Sequence, residues 1–128
     1  MLERHLKIRF RLKTLQTNKL TAMIIYNVTS NVDETIHDKW IAWMMEKHIP
    51  KIMETGKFYK IKIVKVLVDE EHGGTTYSVQ YFADSREKLE EYYKEHSPEL
   101  RAESQHLFGD KVLQFRTELE IIKEFKSV

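Results

Sequence analysis

Residues Asp33 to Phe58 read DETIHDKWIAWMMEKHIPKIMETGKF. This segment carries both tryptophans, two of the six histidines and one of the two prolines, so the packing of the domain should centre on it. Asp33 is a good N-cap, and Glu34 falls in the first turn, where unpaired N–H groups and the helix dipole favour a carboxylate. At about 100° per residue, Ile36, Trp40, Trp43 and Met44 cover one side of a helix, and Ile41, Met45, His48 and Ile52 carry the apolar arc round to a second. An arc that wide predicts a helix that covers its own sheet and also meets something else, either a bound ligand or a second copy of the chain. Pro50 removes one backbone hydrogen bond and disfavours the helical conformation at Ile49. The helix is therefore expected to kink or end near His48, with Ile52 and Met53 in a last irregular turn and Gly56 as a left-handed stop.

A chain of 128 residues fits one domain with a modest core. It has no cysteine, so no disulfide framework is possible and a reducing, cytoplasmic setting is expected. The longest apolar run, Trp40 to Met45, falls far short of the ~20 residues that span a bilayer, so no membrane span is expected. The net charge of +1 is unevenly placed: residues 1–22 hold six Lys/Arg and one acid, against 15 and 19 downstream. An acidic body argues against a nucleic-acid surface.

Taken in order, residues 6–13 (LKIRFRLK) alternate apolar and basic, the period of a half-buried strand. Met23 stands where the first well-defined strand begins, so residues 1–22 read as a basic leader or an extra strand and residues 23–128 as the domain. Met23 to Ser30 is that strand, with Ile24, Tyr26 and Val28 on one face and Asn27 and Thr29 on the other. Phe58 to Val68 reads as a long second strand with Ile61, Ile63 and Leu67 on one face. The segment Asp69 to Thr75 makes a hairpin loop, and Thr76 to Ala83 a third strand that gathers Tyr77, Val79 and Tyr81 opposite Ser78 and Gln80. A second helix opens at Asp84, with Glu87 as its capping-box partner and Leu89, Tyr92, Tyr93 and His96 as its buried stripe. Ser97-Pro98-Glu99 splits it with a fresh N-cap, and Gly109 ends it. A fourth strand from Lys111 to about Ile121 alternates Leu113, Phe115 and Leu119 with Gln114, Arg116 and Glu118. The order β-α-β-β-α-β is a ferredoxin-like α+β sandwich, an antiparallel four-stranded sheet with two helices on one face.

Alternation then puts Asn27, Thr29, Ser78, Gln80, Gln114, Arg116 and Glu118 on the face away from the helices, beside Ile25, Phe82 and Val112. That mixture is too polar for a purely structural interface and too poor in Lys and Glu for a solvent face, and it suits a cavity wall or a homodimer contact.

The element order and the phrases YNVTSNVD, WIAWMMEKHIPKIMETGKF, TTYSVQYF, SPELR and FRTELEII resemble a bacterial family defined only as domain of unknown function 4286, over Met23 to Ile122. That family is similar to the dimeric α+β barrel superfamily, which includes cofactor-independent monooxygenases, EthD-like proteins, stress-responsive barrels and haem-degrading enzymes. The resemblance implies two ferredoxin-like subunits packed sheet to sheet, with a pocket between each sheet and its helices. His48-Ile49-Pro50 followed by Gly56 is similar to an H-x-P…G pattern in several barrel members.

For chemistry, His37 and His48 lie ~16 Å apart along a helix at about 1.5 Å per residue, too far to share a metal ion, and no cofactor motif is present. His48 is the candidate catalytic residue, since an imidazole titrates near neutrality and Pro50 fixes where the helix releases it; the competing role is a helix-terminal cap. Candidate ligand-binding residues are Trp40, Trp43, His48, Tyr26, Gln80 and Arg116. Arg116 and Glu118 read either as a ligand clamp or as an ion pair, and Trp40 and Trp43 either as core or as a shelf. Two functions follow: a homodimer that binds a small apolar or aromatic molecule or acts as an interaction module, or a cofactor-independent enzyme of the monooxygenase/EthD-like type with His48, Tyr26 or Tyr77 as acid or base. The lack of a convergent acid, base and nucleophile set favours the first.

If residues 1–22 are a leader, a chain starting at Met23 keeps every element of the βαββαβ core. Its thermal midpoint should match that of the full chain. Loss of cooperative folding on truncation would instead make LKIRFRLK a strand of the sheet.

Overall fold

The computed structural model describes residues 22–69, 71 and 73–128. Residues 1–21, which include the expected basic strand at residues 6–13, lie outside the described residues, as do Glu70 and His72 of the expected hairpin loop. The elements are β1 (Ile24–Val32), a 3₁₀ turn (Glu34–Ile36), α1 (His37–Trp43), a π-helical turn (Met44–His48), α2 (Ile49–Glu54), β2 (Lys60–Lys65), β3 (Thr75–Ala83), α3 (Arg86–Glu95), α4 (Ser97–Phe108), a 3₁₀ turn (Gly109–Lys111) and β4 (Val112–Glu120). Among the described residues the strands form one antiparallel sheet in the order β2-β3-β1-β4. With each interrupted helix counted once, this is the βαββαβ ferredoxin-like sandwich.

The core follows from the alternation of β1, the inner strand that pairs with both β3 and β4. Ile24, Tyr26, Val28, Ser30 and Val32 are all buried on the helix side, and Tyr77, Val79 and Tyr81 of β3 lie alongside. Trp40, Trp43, Met44 and Ile52 close over them from the first helical layer, and Leu89, Tyr92 and Leu100 from the second. Trp40 and Leu89 are fully buried, and each apolar side chain of that size contributes on the order of 2–3 kcal/mol by leaving water.

The long first helix does not end at His48. Asp33 caps its start, accepting a hydrogen bond from the Thr35 N–H at 2.8 Å, and the helix runs through Pro50 to Glu54. A wide turn absorbs the proline: the Ile49 N–H bonds to the Met44 carbonyl, five residues back, and Pro50 then occupies the first turn of α2, the position where proline is best tolerated. Gly56, at φ 73°, makes the left-handed stop.

Several boundaries shift. The cap of α3 is Ser85 rather than Asp84, with its hydroxyl accepting from the Lys88 N–H at 3.2 Å. Ser97 is the first residue of α4 rather than its cap. The second strand is shorter than Phe58–Val68: pairing reaches from Tyr59 to Val66, and Leu67 is 87% exposed because the chain leaves β3 there for the loop.

The largest correction concerns β4. The register Val32↔Val112, Ser30↔Gln114, Val28↔Arg116 and Tyr26↔Glu118 puts Gln114, Arg116 and Glu118 on the helix side and Leu113, Phe115 and Leu119 on the open face. The expected faces of this strand are thus exchanged, and Val112 packs against the core. Leu113, Phe115 and Leu119 are 64%, 63% and 45% exposed. They flank a polar stripe in which Ser78 donates to Asn27 at 2.6 Å, Asn27 to Thr29 and Thr117 at 3.2 Å, and Gln80 to Ser78 at 3.3 Å.

Candidate functional site

Of the helix-facing polar residues of β4, Gln114 and Arg116 are half-buried and Glu118 is exposed. They form one wall of a trench whose other wall is α4. Residues Ser97, Leu100, Arg101 and Ser104 of α4 recur at helical spacing and face it. At its base is a small cavity of ≈ 30 Å³, room for one or two water molecules, bounded by Trp43, His48, Tyr81, Tyr92, Gln114 and Arg116. Two larger recesses adjoin it. One of ≈ 620 Å³ is walled by Tyr26, Tyr93, Pro98 and Glu118, and the other of ≈ 390 Å³ by Ala102, Gln105, Gly109 and Val112. Arg101 and Arg116 border all three.

A connected hydrogen-bond network fixes the sheet wall. Arg116 Nε donates to the Tyr26 hydroxyl at 2.9 Å, Arg116 Nη2 to Gln114 Oε1 at 3.1 Å, and Gln114 Nε2 to the buried Ser30 hydroxyl at 3.1 Å. Burial raises the Tyr26 pKa, and the adjacent Arg116 and the charge of Arg101 oppose that rise. Glu118 is engaged elsewhere. It accepts two bonds from Arg86 at 3.0 Å and one from the Tyr93 hydroxyl at 2.6 Å, which lowers its own pKa, while burial and then Glu118 raise that of Tyr93. Arg116 and Glu118 thus have different partners and form no ion pair with each other.

His48 reaches the cavity by way of the π turn. In a continuous α-helix residues 43 and 48 point about 140° apart, whereas a turn closed over five residues returns His48 above Trp43. The two rings stack at 4.3 Å between centroids with 24° between planes. Burial pushes the imidazole pKa down to about 4, with Glu103 opposing and Lys51 reinforcing the shift, so the ring is neutral at pH 7. Its Nδ1 is buried without a hydrogen-bond partner among the described residues. Because the helix continues to Glu54, a terminal-cap role has no helix end to act on.

Of the six expected ligand-binding residues, the structure gathers Tyr26, Trp43, His48 and Arg116 around the cavity. Trp40 is fully buried against Tyr77, whose hydroxyl instead lies 2.6 Å from His37 Nε2. Gln80 lies on the open sheet face. Sequence reasoning did not single out Arg101, Ser97, Ser104 or Tyr93 for the site. The signal was present in the spacing 97, 100, 101, 104, a helical stripe with polar residues where a pure core stripe would be apolar. No group of three potential metal ligands converges among the described residues.

A ferredoxin-like α+β sandwich with a polar-lined trench between its last helix and its edge strand is the class this geometry defines. Residues 23–122 match the model of the family described as a domain of unknown function, DUF4286, and the chain belongs to that family. No curated protein matches it. Among solved structures it is similar to an ethyl tert-butyl ether D (EthD) family protein from Bacillus halodurans C-125, at 12% identity over 77% of this chain and 99% of that one, with a TM-score of 0.58. It is also similar to a dimeric ferredoxin-like protein from an uncultured marine organism, at 15% identity over 81% of this chain and 99% of that one, with a TM-score of 0.55. Both likenesses show the fold.

The neutral, buried His48 ring makes a checkable contribution to stability. Its pKa falls from an ordinary 6.5 to about 4 on folding, so between those values the unfolded chain binds the extra proton. Stability from the neutral ring is complete above pH 6.5 and is lost as pH falls towards 4. His48→Gln removes the term. Urea unfolding of the variant should lose less stability between pH 7 and pH 4 than the parent does, by on the order of 2–3 kcal/mol. Identical pH profiles would show that the ring titrates as if exposed.

Proposed function

We propose that this chain is a homodimeric, cytoplasmic binding protein for a small apolar or aromatic molecule, held in the trench between α4 and β4. The observation that carries this reading is the ≈ 620 Å³ recess walled by Tyr26, Tyr93 and Pro98, of a size suited to a small ligand and continuous in its lining with the cavity below His48 and Trp43. Aromatic rings offer apolar contact there, and hydroxyl and guanidinium groups set orientation. The absence of cysteine is in keeping with a reducing compartment. Among the described residues no helix is long and apolar enough to cross a membrane.

The dimer reading is supported by the open sheet face. Phe115, Leu113 and Leu119 stand exposed beside Ile25, with the hydrogen-bonded Asn27–Ser78 stripe between them and the lysines of β2. An apolar margin of this kind is stabilised by a like surface across a two-fold axis.

Two measurements test these statements. A neutral aromatic probe, 2-naphthamide, should bind the chain in calorimetric titration, and Tyr93→Ala should weaken it about tenfold; undiminished binding in that variant would move the ligand out of the trench. Light scattering at micromolar concentration should give twice the chain mass, falling to the single mass in Phe115→Lys, where a charge is set into the apolar margin. A monomeric parent protein would remove the dimer.

A further inference from the structure

The trench walls carry more positive charge than they neutralise. Arg116 makes its two hydrogen bonds to uncharged groups, the Tyr26 hydroxyl and the Gln114 amide oxygen. Its Nη1 is not used by either bond. Among the described residues neither Arg116 nor Arg101 forms an ion pair with a carboxylate, although Glu118 is two residues away along the strand and lines the same recess. Glu118 is instead held by Arg86 and Tyr93, which leaves the two guanidiniums facing the recesses with their charge uncompensated. A guanidinium is protonated at any physiological pH, and a fixed planar one suits a planar anion.

The position of the pair is also informative. Arg101 projects from one wall and Arg116 from the other, and they are the two side chains common to all three recesses. The α4 N-terminus opens onto the same place: Ser97 is buried there, and the His96 side chain does not cap the helix. The helix dipole adds to the field of the arginines. The network through Gln114 to Ser30 fixes the Arg116 guanidinium in direction while leaving its charge intact, which is the arrangement needed to receive an anion rather than to tie two strands together.

We infer that the ligand of this trench carries a carboxylate, held between Arg101 and Arg116, with its apolar or aromatic body against Tyr26 and Tyr93. This rests on the pocket reading above and narrows it from apolar molecules in general to apolar carboxylic acids in their ionised form. The acid group bridges the two walls of the recess.

The test compares two probes of nearly equal shape, 2-naphthoate and 2-naphthamide, by calorimetric titration of the full chain at pH 7. The carboxylate is expected to bind at least tenfold more tightly than the amide. Arg101→Gln changes an exposed helix position and should fold normally; it should reduce the preference several-fold, with carboxylate affinity falling far more than amide affinity. Arg116→Gln should reduce it further, and Arg116→Lys, which keeps the charge but loses the fork to Tyr26 and Gln114, should fall between Gln and the parent. An unchanged far-ultraviolet circular dichroism spectrum and thermal midpoint in each variant show that its fold is intact. Equal affinity for the two probes in the parent would overturn the carboxylate inference and leave the pocket reading standing. So would a preference that survives in the Arg101→Gln/Arg116→Gln double variant. Failure of both probes to bind would overturn both.

Discussion

The pairing of β4 with β1 is the constraint on which the site depends. Nine residue pairs from Ile24↔Glu120 to Val32↔Val112 lock the edge strand in one register, and that register decides which of its two faces meets the helices. A slip of one residue would bring Phe115 and Leu113 inward and send Arg116 and Gln114 out. The chain holds the less obvious choice through specific bonds. Gln114 reaches the fully buried Ser30, and Arg116 reaches Tyr26, so the polar side chains of β4 satisfy polar atoms of β1 that would otherwise be buried unpaired. Ser30 is the telling residue: a hydroxyl on the core side of an inner strand requires a partner, and only the observed register supplies Gln114 opposite it.

Most of the fold was legible because it rests on period and punctuation. The alternation of β1 and β3, the wide apolar arc with Trp40 and Trp43, the glycine stops at Gly56 and Gly109, and the break at His96-Ser97-Pro98 all reflect local physical preferences that the folded chain keeps. What was not legible is the phase of β4. Alternation reports that a strand has two unlike faces and does not report which one is turned inward. Assigning the apolar face to the helices is sound when the other face meets water, and it fails here because neither face of β4 is an ordinary solvent face. One borders a recess lined in part by polar groups, and the other bears the exposed apolar margin around Phe115.

The π turn is the second feature that local rules missed, and it has a physical reason. Pro50 in an unbroken α-helix would set its ring against the carbonyl four residues earlier, and the usual outcomes are a kink or a stop. The chain takes a third route, widening one turn so that Ile49 bonds to Met44 and the helix resumes. The gain in helix length is modest, and the larger effect is rotational. The extra residue turns His48 inward onto Trp43, which buries the ring and removes it from the ordinary titration range. A histidine that the α-helical wheel places on the second side of the arc thus ends beside Tyr81, Tyr92 and Arg116.

These two features act on one place from opposite sides. The register of β4 brings two polar side chains under α4, and the π turn brings an imidazole and an indole to the same floor. Neither improves the packing of a ferredoxin-like core, which would be tighter with apolar residues at positions 30, 114 and 116 and would leave no cavity beneath His48. A buried polar network of this kind stabilises the fold only when its members are satisfied, and here the hydroxyls and amide are satisfied while the Arg116 charge meets no carboxylate among the described residues. An uncompensated guanidinium at the mouth of an apolar recess costs solvation when the recess is dry and is offset when an anion enters. Under the proposed carboxylate binding, the charge of the half-buried Arg116 would be matched by the ligand rather than by the fold, whereas Arg101 on the facing wall is exposed and keeps its solvation.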